Sequence, residues 1–250
     1  MARHARHARH YHVVAADMIG SSRFLKANQD ELYKVVLDDF YKMVRKTQIT
    51  LSKKYNFINK DDLAGIYPIG GDSFWMFIPA SKGTQIVEDS FFFTINVIQN
   101  IKKDFIEKFT VHGLDIRIGV HTTVKERMPD GSTGWVTLDE GIGASKKDSI
   151  YKMPLFNRIF CREFVVARRL EQASQEKKFV ANMFFSKEFV LRMIDYGGIA
   201  NSRRLGEKVF LKLKNGLKLV FVQRLVSEIE NETIREKLAE CRVNEFYELK

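Results

Sequence analysis

Apolar and polar positions in the first half of the chain follow two periods, one typical of strands and one typical of helices. The predicted elements are, in order, a strand within 13–22, a helix at 29–53, strands at 66–69 and 74–78, a helix at 84–109 and a strand at 112–122. A Gly-Gly-Asp turn joins the two middle strands into a hairpin. This order forms a split β-α-β-β-α-β unit, in which helices cover one face of an antiparallel sheet. The predicted fold class is therefore α+β with a ferredoxin-like core.

The second half predicts extra strands and helices that extend this core. A turn-rich stretch at 129–147 predicts a loop or a hairpin flap. The elements predicted after it are a helix at 164–173, a strand at 179–185, a helix at 187–194, hairpin strands at 209–214 and 217–222, and a helix at 228–242. Asn215-Gly216 joins the hairpin and favours a type I′ turn. The predicted organisation is a basic tail at 1–10, one main domain at 11–226 and a helical appendage at 227–250.

The composition indicates the cellular compartment and the class of partner. The 250 residues are 45% hydrophobic, which is enough for a full core, and the formal net charge is +10. A chain this basic favours anionic partners such as nucleotides, nucleic acid or acidic lipid. Cys161 and Cys241 are too isolated for a disulfide framework or a zinc site, which indicates a reducing compartment. Because no apolar run is long enough to cross a bilayer, we expect a soluble, cytoplasmic protein with no membrane partner.

Two acidic residues, Asp17 and Asp72, each adjoin an apolar run and a glycine turn. The predicted topology places them on neighbouring strands, where their carboxylates can converge on a hard divalent cation that also accepts phosphate oxygens. A structural alternative exists for each residue. Asp17 can cap a turn, and Gly71-Asp72 can be an ordinary hairpin turn. The occurrence of both stretches in one chain favours a metal and triphosphate site.

Five motifs follow one another in a specific order. They are A-A-D-M-I-G-S-S, I-G-G-D-S-F, I-R-I-G-V-H-T, V-A-R-R-L-E-Q-A and V-F-L-K-L-K-N-G. Together they resemble the class III nucleotide cyclase catalytic domain over residues 12–223. The first two resemble that family's metal motifs, the third its R-I-G-I-H strand, the fourth its A-A-R-L-E helix and the fifth its late lysine hairpin. The resemblance implies that the main domain is catalytic.

The same resemblance implies roles for individual residues. Asp17 and Asp72 would hold two divalent ions, Mn²⁺ or Mg²⁺, with the Ile19 carbonyl as a further ligand. The backbone amides that would cradle the terminal phosphates are those around Gly20, Ser21 and Ser22. Arg169 would stabilise the transition state and Lys214 would bind phosphate. In that family these two groups come from the opposite protomer, so the resemblance implies a head-to-tail homodimer.

Both basic residues also have a plainer interpretation. Arg168 and Arg169 can form a solvated helix face, and since adjacent helix residues point in different directions, at most one should enter the site. The motif favours Arg169. Lys214 lies in a lysine-rich hairpin, so an ordinary surface lysine is an equal alternative.

Three positions that the family's purine enzymes keep, two of which read the base, differ in this chain. Val165 stands where those enzymes keep an asparagine, Pro68 where they keep a lysine or glutamate, and Arg158 near their aspartate position. Tyr67 instead resembles a tyrosine of the bacterial pyrimidine cyclases of the Pycsar anti-phage system, which make cyclic UMP or cyclic CMP. Tyrosine donates and accepts hydrogen bonds whereas arginine only donates, so Tyr67 and Arg158 suit the two carbonyls of uracil. UTP is the preferred substrate and CTP the second.

Other functions fit parts of the sequence. An adenylate cyclase with an unusual base pocket is the main enzymatic alternative. A diguanylate cyclase shares G-G-D-S-F but lacks the other motifs and has Ser73 where an acid is needed. From a different class, an RNA-binding module of this fold would stack bases on Phe74, Trp75 and Phe77. With both metal acids present, we expect a cyclase without a nucleic-acid partner.

Overall fold

The structure is a computed structural model. It describes residues 11–27, 30–55, 65–69, 72–82, 85–86, 88–122, 125–127, 133–135, 162–173, 176, 179 and 182–250. The tail predicted at 1–10 lies outside these residues, as does most of the loop predicted at 129–147.

Strands and helices alternate along the described chain. The strands are β1 (Tyr11–Ile19), β2 (Gly65–Ile69), β3 (Ser73–Pro79), β4 (Ser81–Lys82), β5 (Gln85–Ile86), β6 (Asp115–Thr122), β7 (Lys125–Arg127), β8 (Thr133–Trp135), β9 (Met183–Ser186), β10 (Ile199–Leu205), β11 (Lys208–Leu213), β12 (Lys218–Leu225) and β13 (Glu245–Leu249). The helices are α1 (Ser21–Ala27), α2 (Asp30–Tyr55), α3 (Glu88–Phe109), α4 (Arg162–Ala173), α5 (Lys187–Tyr196) and α6 (Glu232–Glu240). Within this described part, no helix is both long enough and apolar enough to span a membrane.

One large sheet organises the molecule, with nine strands in the order β10-β11-β12-β13-β9-β6-β1-β3-β2. Strands β6, β1, β3 and β2 are antiparallel neighbours. This is the strand order of the split β-α-β-β-α-β unit, so the predicted α+β class and ferredoxin-like core are confirmed. Strand β9 pairs parallel with β6 and joins the core to the later strands.

Apolar residues on the two faces of the sheet enter two separate cores. On one face, α2 and α3 pack through aromatic rings. The Phe40 ring of α2 lies 5.7 Å from that of Phe74 of β3, tilted against it, and 5.5 Å from that of Phe105 of α3, edge to face. On the other face, α4 and α6 join β9 and β13 in a second cluster that contains Leu170 and Phe184. The two core helices, α2 and α3, thus share one face as predicted. Helices α4 and α6 cover the other face, for which the sequence made no prediction.

Several predicted bounds shift for local reasons. A short helix, α1, precedes α2, because Gly20 adopts a positive φ of +88° and turns the chain directly into helical residues. Helix α3 begins at Glu88, later than the predicted residue 84, because Gln85–Ile86 pairs with β4 instead.

The hairpin between β11 and β12 forms as predicted but with a different turn. A type I′ turn needs positive φ at both central residues. Among the described residues, Arg242 is the non-glycine residue with positive φ, so Asn215 has none, whereas Gly216 has a φ of +87°. The Gly216 amide donates to the Leu213 carbonyl at 2.9 Å, and the Leu213 amide donates to the Leu217 carbonyl at 2.9 Å. These bonds are typical of a three-residue loop with a glycine bulge.

The C-terminal residues belong to the sheet. The sequence predicted a helical appendage over 227–250, but helix α6 covers only part of it and β13 lies between β12 and β9. Glu248 lies on this strand. In the fold its carboxylate is fully buried and accepts hydrogen bonds from Arg224 at 2.9 and 3.1 Å. The paired arginine allows an acidic residue to occupy an inner strand.

Candidate active site

Asp17 occupies the centre of the ferredoxin-like sheet. In the register of the strands it faces Ser73 of β3 on one side and Arg117 of β6 on the other. Its side chain is only 10% exposed. A carboxylate this buried requires compensating charges or a bound cation.

Asp72 lies beside Asp17, as the sequence predicted. It immediately precedes β3, and its backbone carbonyl accepts a hydrogen bond from the Met18 amide at 3.0 Å. Its carboxylate accepts a hydrogen bond from the Ser21 hydroxyl. The two acids are close enough to interact electrostatically, since the charge of Asp72 is one of the causes that raise the pKa of Asp17.

Burial is the largest of the causes that raise the pKa of Asp17. The guanidinium groups of Arg117 and Arg168 act in the opposite direction, because a positive neighbour favours the ionised form. The raised pKa shows that burial and Asp72 outweigh the two arginines. Binding a cation at these carboxylates would relieve both effects.

A four-residue charge network surrounds Asp17. The Arg117 guanidinium bridges the carboxylates of Asp17 and Glu171. The Arg168 Nη1 atom lies 2.5 Å from Glu171 Oε2 and 3.9 Å from Asp17 Oδ1. Glu171 is fully buried, and burial raises its pKa to about 7 against the effect of both arginines. Two acids and two bases thus alternate, which offsets part of the cost of burying each one.

Gly119 allows helix α4 to bring two members of this network to the sheet. A Cβ atom at this position would lie 2.1 Å from the Ala167 carbonyl oxygen and 2.5 Å from the Glu171 amide nitrogen. Both distances are far below van der Waals contact, so only glycine fits. The close approach sets Arg168 and Glu171 directly over Arg117 and Asp17.

Two tyrosines of α2 border the carboxylates. The Tyr41 hydroxyl donates to the Ser73 carbonyl at 2.8 Å. Tyr33 forms a side-chain hydrogen bond with Ser21. Burial first, and then the negative charge of Asp72, raises the pKa of both phenols. Both hydroxyls therefore remain protonated donors near the site.

The predicted phosphate cradle lies at the same end of β1. Ile19 ends the strand, Gly20 turns the chain, and Ser21 and Ser22 begin α1. Ser21 is buried and Ser22 is exposed. The cradle and the acids are thus adjacent, and the roles assigned to the Ile19 carbonyl and to these amides stay predictions.

Comparison with solved structures gives the identity of the fold. The adenylyl cyclase CyaB from P. aeruginosa matches 97% of this chain and 94% of its own, with a TM-score of 0.50 and 16% identity. The chain has a cyclase catalytic-domain fold. A bacterial light-regulated adenylyl cyclase matches 96% of this chain and 51% of its own, with a TM-score of 0.49 and 9% identity. The guanylate cyclase domain of RhGC from Catenaria anguillulae matches 86% and 96%, with a TM-score of 0.43 and 14% identity. No protein-family model and no curated protein matches the chain.

The two basic residues predicted to act in trans lie apart from the acids in one chain. Arg169 on α4 donates to the Gln172 side chain, one helix position away from the Arg168 contacts. Lys214, in the turn between β11 and β12, lies 3.3 Å from Glu88 Oε1 and is 64% exposed. The structure therefore places Arg168, and neither of the predicted residues, at the Asp17 carboxylate.

The predicted base-reading residues fall largely outside the described side chains. The backbone of Tyr67 pairs with Trp75 in the β2–β3 hairpin. Arg158 lies outside the described residues, and Val165 is partly buried on α4. The aromatic platform that an RNA-binding module would need is buried, with Phe74 at 0%, Trp75 at 8% and Phe77 at 5% exposure. These rings are packed within the protein rather than presented for base stacking.

The donor set suits a hard divalent cation that shares its ligands with a substrate. Among the described residues, no group of three or more histidine, cysteine, aspartate or glutamate side chains forms a metal site. Asp17 and Asp72 supply two carboxylates. Mg²⁺ is commonly held by one or two carboxylates with substrate phosphates and water completing the octahedron. The residues present therefore fit Mg²⁺ or Mn²⁺ bound together with a triphosphate.

Arg117 and Glu171 lie within two of the family motifs, but the sequence did not predict a role for either residue. Strand pairing offered a signal for Arg117, because antiparallel pairing of the predicted strands at 13–22 and 112–122 puts it opposite Asp17. Glu171 had a weaker signal, its spacing of three from Arg168 on a predicted helix. The bridge between them depends on how closely α4 approaches β6, which spacing alone does not reveal.

Proposed function

We propose that this protein is a nucleotide cyclase that converts UTP to 3′,5′-cyclic UMP and pyrophosphate. The observation that carries the proposal is the Asp17 and Asp72 pair, with the Arg117 guanidinium against Asp17, in a cyclase catalytic-domain fold. Carboxylates suit metal ions and guanidinium groups suit phosphates. Both are needed at a site that takes a metal-bound triphosphate.

The reaction balances without a further reactant. The ribose 3′ oxygen bonds to the α-phosphorus, the bond from this phosphorus to its bridging oxygen breaks, pyrophosphate leaves, and the 3′ hydroxyl proton passes to solvent. Asp17 and Asp72 would hold two divalent ions, Mn²⁺ or Mg²⁺, which activate the attacking oxygen and clamp the leaving phosphates when bound. Arg117 lies where it can offset negative charge on the phosphates. The hydroxyls of Tyr33 and Tyr41 lie beside the acids, where they hold hydrogen bonds to Ser21 and to the Ser73 carbonyl.

A head-to-tail homodimer completes the proposed site. Four strand steps separate β12 from β1 in the sheet order, or about 19 Å at about 4.8 Å per strand. A lysine side chain is too short to bridge that distance, so Lys214 cannot meet the Asp17 of its own chain. We therefore assign Lys214 to the triphosphate held by the partner protomer, and we assign Arg169 to the same site by the family resemblance.

The pyrimidine preference rests on the residues that replace the purine-reading positions. Val165 and Pro68 supply no side-chain hydrogen bond, which disfavours adenine and guanine. Tyr67 and Arg158 would read the uracil carbonyls. Cytidylate cyclase activity is the second candidate and adenylate cyclase activity the third. By resemblance to the Pycsar cyclases, the cyclic product would act as a second messenger in bacterial anti-phage defence.

The experiment incubates purified protein with ATP, GTP, CTP and UTP separately, in the presence of MnCl₂, and identifies cyclic products by mass spectrometry. We expect cyclic UMP as the main product. Cyclic CMP as the main product would move the preference to CTP. Cyclic AMP alone would remove the pyrimidine proposal and keep the cyclase proposal. No cyclic product from any triphosphate, together with tight RNA binding, would favour the RNA-binding module.

One substitution tests the role of Tyr67 in reading the base. Tyr67→Phe should change the ratio of UTP to CTP turnover because it deletes one hydrogen-bonding hydroxyl. Tyr196→Phe is the matched control, since Tyr196 is 52% exposed at the end of α5. An unchanged ratio in Tyr67→Phe would mean that Tyr67 does not read the base and is an ordinary aromatic residue of the strand.

A further inference from the structure

Arg168 and Arg169 are consecutive on α4, yet their guanidinium groups have different partners. Arg168 Nη1 lies 2.5 Å from Glu171 Oε2 and 3.9 Å from Asp17 Oδ1. The Arg169 guanidinium donates to Gln172, the residue after Glu171. Successive helix residues are rotated by about 100°. The two arginine side chains therefore point in different directions. Of the two, Arg168 is the one that faces the Asp17 of its own chain.

The Arg168 side chain is held by Glu171 and is still partly exposed to solvent. Glu171, fully buried, fixes one edge of its guanidinium, whereas the side chain as a whole is 30% exposed. Arg117, the other arginine at Asp17, is 16% exposed and bridges two carboxylates. A guanidinium has five donors in a planar fork and readily binds a carboxylate on one edge and a phosphate on another. Arg168 is thus the more accessible anion-binding group beside the acids.

We propose that Arg168 binds the substrate triphosphate in cis, at the Asp17 site of its own chain, while Arg169 serves the partner's site. This proposal rests on the proposed cyclase function and adds a substrate-binding residue to it. Each active site would then receive one arginine of the pair from each protomer. The anchor at Glu171 keeps the Arg168 fork in place before substrate arrives, which lowers the entropy lost on binding.

A binding experiment tests the phosphate role without any turnover. The affinity of inorganic tripolyphosphate in excess MgCl₂ is measured by isothermal titration calorimetry for wild type, Arg168→Gln, Arg168→Lys and Arg235→Gln. We expect Arg168→Gln to weaken binding at least tenfold, which is about 1.4 kcal/mol, and Arg168→Lys to recover part of the loss. Arg235→Gln should leave the affinity unchanged, because Arg235 lies on α6 near Glu232 and carries the same charge.

Heterodimers test the cis assignment. Chains with two different affinity tags are co-expressed, and the mixed dimers are purified on both tags. An Asp17→Ala chain paired with an Arg169→Ala chain retains one intact site if Arg169 acts in trans, so about half of the wild-type activity should return. An Asp17→Ala chain paired with an Arg168→Gln chain has no intact site if Arg168 acts in cis. At low triphosphate concentration its activity should therefore stay at least tenfold below that of the first heterodimer.

Three results would overturn the cis proposal. They are equal rescue in the two heterodimers, unchanged tripolyphosphate affinity in Arg168→Gln, and no measurable tripolyphosphate binding by the wild type. Wild type that binds tripolyphosphate through Arg168 but turns over no nucleoside triphosphate would refute the cyclase function and keep the anion site. Thermal unfolding of each variant separates loss of the fold from loss of the anion contact.

Discussion

Gly119→Ala should break the candidate site through one added methyl group. The new Cβ atom would lie 2.1 Å from the Ala167 carbonyl oxygen, whereas ordinary van der Waals contact begins at 3.4 Å. Helix α4 would have to retreat by about 1.3 Å, the difference of these two distances. The clash involves backbone atoms of α4, so no side-chain rotation relieves it. Arg168 and Glu171 would move away from Arg117 with the helix.

Two magnitudes follow from this shift. Overpacking of a well-packed contact costs about 1–3 kcal/mol of unfolding free energy. For a chain of this length each kcal/mol lowers Tm by about 2–4 °C. A displacement of about 1 Å in a site costs up to about 100-fold in rate. We therefore expect activity to fall by a much larger factor than stability alone would produce at assay temperature.

The assay combines differential scanning calorimetry with product formation at saturating triphosphate. Gly206→Ala is the matched control. Gly206 has a φ of +57° with no heavy atom within 4 Å of an added Cβ, so alanine there strains only the turn between β10 and β11. The control should lose stability of the order of 1 kcal/mol and keep its activity. Gly119→Ala with wild-type Tm and wild-type rate would refute the argument that this glycine sets the position of α4.

Three other substitutions test the acids and the C-terminal strand. Asp17→Ala and Asp72→Ala should each reduce turnover by more than about 100-fold while the dimer persists in size-exclusion chromatography. Mutation of even an outer-shell partner of a metal site lowers metal affinity or activity by about 10–100-fold, and these two acids are proposed as direct ligands. Asp72→Ala should also lower the pKa of Asp17, since the Asp72 charge raises it, and a ¹³C carboxyl titration measures the direction. A retained rate or an upward shift would contradict the pairing of the acids. Glu248→Ala should lower the free energy of unfolding by about 3 kcal/mol, because Arg224 loses its buried partner. The exposed Glu240→Ala control should change stability by less than about 0.5 kcal/mol, and equal losses would argue against the buried pair.

The sequence predicted the ferredoxin-like core because its signals are local. Three signals each depend on neighbours in the chain: the apolar run that leads to Asp17, the 3.6-residue period in α2 and the glycine turn before Asp72. Adjacency of the two acids then follows from the strand order of the unit. Strand β13 was missed because Glu248 reads as a surface residue until its pairing with Arg224 is known. Such a pairing joins residues that no periodicity connects.

The position of Arg168 beside Asp17 was not predicted for a related reason. On α4 the motif pointed to Arg169, and the alternative at Arg168 was a solvated helix face. The structure shows that Arg168 contacts Glu171 and approaches Asp17, because Gly119 lets the helix descend onto β6. The rotation of a helix about its axis decides which of two adjacent arginines meets the sheet. Rotation depends on packing against a distant strand and leaves no signature in residue spacing.

The charges at Asp17 also limit how substrate and metal can enter. Asp17, Asp72 and Glu171 are three acids, and Arg117 and Arg168 are two bases, so the cluster carries a charge of −1 when all five groups are ionised and is neutral when Glu171, with a pKa of about 7, is protonated. In neither state is there a net positive charge to attract a free triphosphate, and a free divalent ion would compete with arginines already placed against Asp17. A metal–triphosphate complex avoids both obstacles. Its cation replaces the arginines at the carboxylates, and its phosphates accept hydrogen bonds from the displaced guanidinium groups. Metal and triphosphate should therefore bind with positive coupling, and calorimetric titration of tripolyphosphate with and without MgCl₂ measures it. Equal affinity in the two titrations would mean that the acids and the arginines act independently.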